Sequence, residues 1–264
     1  MTFLHRRGVL RAAAGTTAAA AAGALLPGCA GDRAATDARH APSAARDPAP
    51  TPVPAASARP LPRGLPAQIA HGPRAGTAVA LTFHGRGDPK LATALLAEAE
   101  RAGARLTVLA VGQWLDEAPR MARRVLDGGH ELGNHTMRHL DISTMSGTAA
   151  YAEITECADR LRRLTGSIGR WFRPSRAQYA TERVARLAAR AGYPHVLSYD
   201  VDSLDYTDPG GDAVRRAVLA AVRPGSVVSL HFGHAGTLTA LPGILDGLHR
   251  RGLRAVTTTE LLTS

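Results

Sequence analysis

Cysteine is almost missing from this chain, with two residues in 264. Two cysteines cannot build a disulfide framework, and no cysteine cluster exists to hold zinc. Aromatic residues make up 4%, and none is interleaved with arginine as a nucleic-acid surface requires. No Gly-x-Gly-x-x-Gly follows the first predicted strand, which removes a dinucleotide site. Composition also excludes collagen, coiled-coil and polytopic membrane classes. What is abundant is positive charge, +10 over the whole chain, but it is unevenly placed. Residues 1–75 hold nine Arg against three acidic groups, or +6, and residues 76–264 hold 23 Lys+Arg against 19 Asp+Glu, or +4. The excess belongs mainly to the leader, so it speaks for location rather than for a nucleic-acid partner.

Residues 1–29 read as an export signal. Arg6-Arg7-Gly8-Val9-Leu10-Arg11 is followed by an uncharged Ala-rich stretch from Ala12 and then by Leu26-Pro27-Gly28-Cys29, which is a positive segment, an apolar segment and small residues at a cleavage point. The arginine pair resembles a twin-arginine signal, and Leu-x-Gly-Cys resembles a bacterial lipobox, in which Cys29 becomes the lipidated first residue. An uncleaved transmembrane anchor is the competing reading. Ala, Gly and Thr dominate the stretch at the expense of Leu, Ile and Phe, which favours cleavage. The expected location is outside the cell, as a lipoprotein held at the membrane's outer face through Cys29 or as a secreted protein. Residues 30–75 are rich in Ala, Pro and Arg and carry few large apolar side chains, so they read as a disordered tether.

From Thr77 onward, short apolar runs alternate with helical patterns. Seven predicted strands start at Ala78, Arg105, His130, Trp171, Val196, Ser226 and Arg254. Helices are expected over 89–102, 113–126, 146–164, 181–191, 212–222 and 238–250, several ending at glycine. Strict alternation implies parallel strands with right-handed crossovers. The expected fold is α/β, a distorted seven-stranded parallel (β/α) barrel over residues 76–264.

In such a barrel the site lies where strands end. His84 and Asp88 follow the first strand, His135 and His139 the third, Arg173 ends the fourth, Asp202 and Asp205 follow the fifth, and His231 ends the sixth. Each has a plain structural reading alone. His-x-x-x-His is commonly a pair of solvated histidines, and Asp202 with Asp205 could simply cap a helix. Five strand ends delivering titratable groups to one rim is a different matter. Histidine pairs suit zinc or a similar borderline metal, with room for a carboxylate and water.

These residues resemble the polysaccharide deacetylase family, the NodB-homology domain of carbohydrate esterase family 4. His135-Thr-Met-Arg-His139 resembles its His-[Ser/Thr]-x-x-His metal motif, Phe172-Arg173-Pro174 its Arg-x-Pro segment, Asp202-Ser-Leu-Asp205-Tyr206 its Asp-Ser-x-Asp-Trp, and Val228-Ser-Leu-His231 its final Leu-His. The chain departs from the family at one place above all. Where the family has two aspartates after Thr-Phe, one a catalytic base and one a metal ligand, this chain has His84 and Gly85.

The resemblance implies metal-assisted removal of N- or O-linked acetyl groups from a cell-wall or extracellular polysaccharide. The expected ion is Zn²⁺, with Co²⁺ or Ni²⁺ as alternatives. His231 matches the family's acid, with Asp202 or Asp205 beside it, and Arg173 matches the group that holds a site carboxylate. Two rewirings could replace the lost aspartates. In the favoured one Asp88 joins His135 and His139 as the metal's carboxylate and His84 is the base, since Gly85 and Gly87 would let the loop bend back. In the other, His84 completes a three-histidine site and Asp88 is the base. The alternative function is a non-catalytic, carbohydrate-binding cell-surface lipoprotein on a decayed deacetylase fold.

Overall fold

A computed structural model describes residues 60–263. The expectations for the export signal, the lipidated Cys29 and most of the tether lie outside those residues.

Strand β1 spans Gln68–Ile69 and β2 spans Ala78–Gly85, followed by helix α1 (Pro89–Arg101), β3 (Thr107–Ala110), α2 (Gly112–Glu117), α3 (Arg120–Asp127) and β4 (Glu131–Asn134). Then come α4 (Gly147–Thr165), α5 (Glu182–Arg190), β5 (Val196–Leu197), β6 (Val201–Asp202), α6 (Gly211–Ala221), β7 (Val227–His231), α7 (Ala235–Arg250), β8 (Arg254–Val256) and α8 (Thr258–Thr263). All strand pairs are parallel, in the order β4-β3-β2-β7-β6, with β8 on the first half of β2 and β1 on β5. The fold is α/β with a parallel sheet, as the alternation predicts.

Three predicted elements take another form. Trp171–Arg173 is no ladder strand, but Phe172 alone bridges Asn134 of β4 and Val196 of β5. The helix expected over 113–126 breaks into α2 and α3 at Ala118, whose non-helical backbone precedes Pro119; a residue before proline is steered away from helical geometry. The tether ends earlier than residue 75. Ile69 is buried in β1, Leu61 and Leu65 pack beside it, and Arg74 Nη2 meets Asp200 at 2.7 Å. Three scattered apolar residues are too sparse a pattern to show in sequence, and the anchoring is largely backbone pairing with β5.

The two-residue period of β2 sorts its side chains. Val79, Leu81 and Phe83 join the core shared with the outer helices, while Ala78 and Ala80 face an inner cluster with Leu109, Trp171, Leu197 and Val227. Thr82 and His84 continue that inner row upward. On β7, Val228 and Leu230 go outward, which leaves Ser229 and His231 on the inner face. The register pairs Thr82 with Ser229 and His84 with His231.

Candidate metal and acid–base site

Asn134 ends β4 and turns the chain that follows. Its Nδ2 donates to the carbonyl of Ile154 (2.9 Å) and its Oδ1 accepts from the backbone N–H of Thr136 (2.9 Å). Residues 135–139 are therefore a pinned loop rather than a helical turn, and Thr136 and His139 both take left-handed φ angles, 67° and 58°. Buried Ser175 fastens the loop by accepting from Thr136 Oγ1 (3.1 Å) and donating to the Leu140 carbonyl. That curl brings the rings of His135 and His139 to 4.8 Å between centroids. The family-like motif is thus read by a loop, which its spacing alone did not distinguish from a helix.

The end of β2 meets this loop. His84 Nδ1 lies 2.7 Å from His135 Nε2, and one nitrogen from each of His84, His135 and His139 falls within 4.8 Å of the others. Asp88 is not among them. It is exposed at the start of α1, where its carboxylate accepts from the Lys90 N–H at 2.8 Å and caps the helix ahead of Pro89. The geometry thus assembles the three-histidine arrangement and leaves the favoured Asp88 ligand outside it. Gly85 does not swing the loop inward, because it is the last residue of β2. A Cβ there would meet Ala110 Cα at 2.9 Å and the Trp114 ring at 3.2 Å.

The trio suits a borderline divalent cation. Burial, then the neighbouring imidazoles and Arg173, hold His84 well below its ordinary pKa; burial and His139 do the same for His135. Burial, Arg86 and Arg176 lower His139 to about 4. All three are therefore neutral at neutral pH, as ligation requires. Zinc–nitrogen bonds of about 2.0–2.1 Å place tetrahedral ligands roughly 3.4 Å apart, a spacing bracketed by the observed separations. His135 also donates from Nδ1 to the Arg173 carbonyl (3.0 Å), the outer hydrogen bond that orients a ligating imidazole.

Arg173 is fully buried and holds no carboxylate. Its Nε donates to the Leu197 carbonyl (3.0 Å), its Nη2 to Thr82 Oγ1 (2.8 Å) and the Ser198 carbonyl (3.1 Å), and its Nη1 lies 3.4 Å from His84 Nε2. The expected carboxylate partner is missing, and the titratable side chain within reach of the guanidinium is the imidazole of His84. Burial lowers the guanidinium to about 10, with the Tyr199 hydroxyl and Asp202 opposing.

Asp205, not Asp202, partners His231. One Asp205 oxygen accepts from His231 Nδ1 at 2.6 Å, and the other from the His231 N–H (2.7 Å) and Thr237 Oγ1 (2.6 Å). Burial alone would raise this carboxyl, but the His231 and Thr237 hydrogen bonds outweigh it and hold the group below its ordinary value. Asp202 is half-buried, accepts from the Leu204 N–H (3.1 Å), and lines the cleft with Tyr199, Tyr206 and His231. The cleft encloses about 670 Å³ and opens onto His84, His139 and Ser229. His84 and His231 stack across its floor with centroids 4.2 Å apart. Ser229 and Ser175 are the participants that sequence reasoning passed over.

The two tryptophans and Cys157 are structural, whereas His234 lines the cleft. Trp114 Nε1 donates to the Gly87 carbonyl (2.9 Å), and Trp171 Nε1 to Thr259 Oγ1 (3.2 Å). Cys157 is buried, its thiol pushed up to about 12 by desolvation. His234 pairs with Asp208 at 2.7 Å.

The family model for polysaccharide deacetylase matches residues 71–196. A peptidoglycan-N-acetylglucosamine deacetylase of Bacillus cereus is 32% identical over 188 residues, 70% of this chain and 87% of that protein. A chitooligosaccharide deacetylase of Sinorhizobium fredii is 31% identical over 68% of this chain and 91% of its own. Among solved structures, a mutant with restored enzymatic activity of a carbohydrate esterase family 4 pseudoenzyme, from Bacillus anthracis, has a TM-score of 0.71 and 25% identity, covering 75% of this chain and 72% of that one.

Proposed function

Because the chain belongs to the polysaccharide deacetylase family, we propose that it is a metal-dependent hydrolase that removes acetyl groups from a cell-envelope polysaccharide, peptidoglycan or chitooligosaccharide-like. The observation that carries this reading is the meeting of His84, His135 and His139 with the His231–Asp205 pair in one cleft. His84, His135 and His139 are the residues that would hold a divalent ion, Zn²⁺ first and Co²⁺ or Ni²⁺ as alternatives. Such an ion supplies a Lewis acid for the acyl carbonyl and lowers the pKa of water.

The protein's own part is proton handling and orientation. Asp205 engages His231 Nδ1, so the second ring nitrogen is the one left to take a proton from water and return it to the leaving nitrogen or oxygen. With His84 in the ligand group and Asp88 outside the site, this one imidazole serves in both directions. Asp202 and Tyr206 wall the cleft and contact the sugar. Arg173, set beneath His84, fixes the floor by its hydrogen bonds to Thr82, Leu197 and Ser198.

A second reading, a carbohydrate-binding protein without turnover, is favoured by charge. The three nitrogens bring no negative charge, buried Arg173 adds a positive one beside them, and Gly85 carries no side chain. Acetate release from acetylated chitooligosaccharides, peptidoglycan and acetylxylan, with Zn²⁺ or Co²⁺ added to chelator-stripped protein, decides between them. Metal-dependent release supports the hydrolase. Metal bound with no release from any substrate supports the binding protein.

For location, the proposal is export with a lipid anchor at Cys29. No helix among the described residues is long and apolar enough to cross a membrane.

A further inference from the structure

We propose that Ser229 is a positioning residue that lets His84 exchange one tautomer for the other when a divalent cation binds. The inference rests on the three-histidine reading of the metal site.

One proton of the cluster is fixed. His135 Nδ1 faces a backbone carbonyl, which only accepts, so that nitrogen carries the hydrogen and Nε2 is bare. His84 Nδ1 lies 2.7 Å from this bare nitrogen. Two bare nitrogens at that distance would repel, so without a cation His84 carries its hydrogen on Nδ1 and donates it to His135. His84 Nε2 is then an acceptor, taking a hydrogen bond from Ser229 Oγ at 3.0 Å and a longer one from Arg173 Nη1 at 3.4 Å.

A cation held by His84 Nδ1 and His135 Nε2 needs both nitrogens bare. A neutral His84 must then carry its hydrogen on Nε2. The Nδ1 proton leaves to water and another enters at Nε2, so the ring stays neutral and the protons balance. Nε2 now needs an acceptor, and Arg173 has none to offer. Ser229 does. Its hydroxyl turns from donor to acceptor by rotating about one bond, with no movement of the strand. The side chain is 1% exposed on the inner face of β7, two residues before His231, and its hydroxyl is aimed at His84 Nε2.

The test uses the full chain. Zinc affinity is measured by chelator competition for the wild type, Ser229→Ala and Ser229→Thr, and two-bond ¹H–¹⁵N spectra of the wild-type histidines are recorded with and without zinc. The expected results are a loss of about 10–100-fold for the alanine variant, near wild-type affinity for threonine, and a His84 signature that passes from Nδ1–H to Nε2–H on loading. Wild-type zinc affinity in Ser229→Ala, or one His84 tautomer in both states, overturns the inference while leaving the three-histidine site standing. A wild-type protein that binds no zinc removes that site and this inference together.

Discussion

Arg173 is a buried cation satisfied entirely by neutral acceptors, and it lies against the one ring that replaces a family aspartate. An ion in the trio therefore works against a fixed positive charge. His84→Asp would set a carboxylate beside both Arg173 and His135. Zinc affinity measured by calorimetry is expected to rise by ~10-fold or more, since a close opposite charge at low dielectric outweighs the loss of one nitrogen ligand. Unchanged or weaker binding would refute the charge argument. Asp205 gives a second test. Asp205→Asn should lower turnover about 100-fold or more, and should lower stability at neutral pH by about 1.5–3 kcal/mol, the worth of hydrogen bonds to a charged group. The folded carboxyl titrates below its unfolded value of 3.8, so its stabilisation is full above that pH and fades as pH falls through the folded value. Urea unfolding across pH 2–7 should show the gap between wild type and variant closing only at the acid end. That His135, His139 and His231 would meet at one rim was legible from spacing and motif order, and so was an aspartate beside His231, left open between Asp202 and Asp205. Asp88 was misassigned although Asp-Pro at a helix start is itself a capping signature. Ser229 was invisible because a lone serine in an apolar strand looks like filler.

At the scale of elements, alternation and glycine placement revealed α1, α4, α5, α6 and α7 to within a few residues, because long periodic segments carry redundant information. Ser146 and Thr181 cap α4 and α5 where the sequence places the helix starts. The short strands were harder to read. β5 and β6 are two residues each, and the strand expected at Trp171 survives as a single bridge, since contacts from β1, β4 and β7 rather than local propensity hold these segments extended. The loops after β2 and β7 touch backbone to backbone. Gly87 has a φ of 112°, and a Cβ there would stand 2.5 Å from Gly233 Cα. Gly87→Ala should cost about 2 kcal/mol from backbone strain alone, which at this size is roughly 4–8 °C in Tm by calorimetry. A variant that melts with wild type would show that the two loops part without penalty.

For the whole molecule, net charge was the most conspicuous signal and the least connected with chemistry, because the arginines of residues 1–75 dominate a sum in which neutral histidines do not count. Cys29→Ser should move the mature protein from the membrane fraction to the soluble exported fraction, with mass spectrometry showing the loss of the lipid-modified peptide. Equal partition of variant and wild type would remove the anchor. Residues from Leu61 onward, expected to belong to the tether, pack on the domain, and the places where they fasten lie at one end of the strands. The early residues fasten at the starting ends of two strands. The Pro66 carbonyl meets His195 just before β5, while His71 pairs with Ser226 and Arg74 with the Pro224 carbonyl just before β7. The cleft lies at the opposite ends of the strands, beyond His231. Five residues of β7 separate the two faces, about 16 Å at 3.3 Å per residue. The leading described residues are therefore fastened about one strand length away from the cleft, and none of them stands in its mouth.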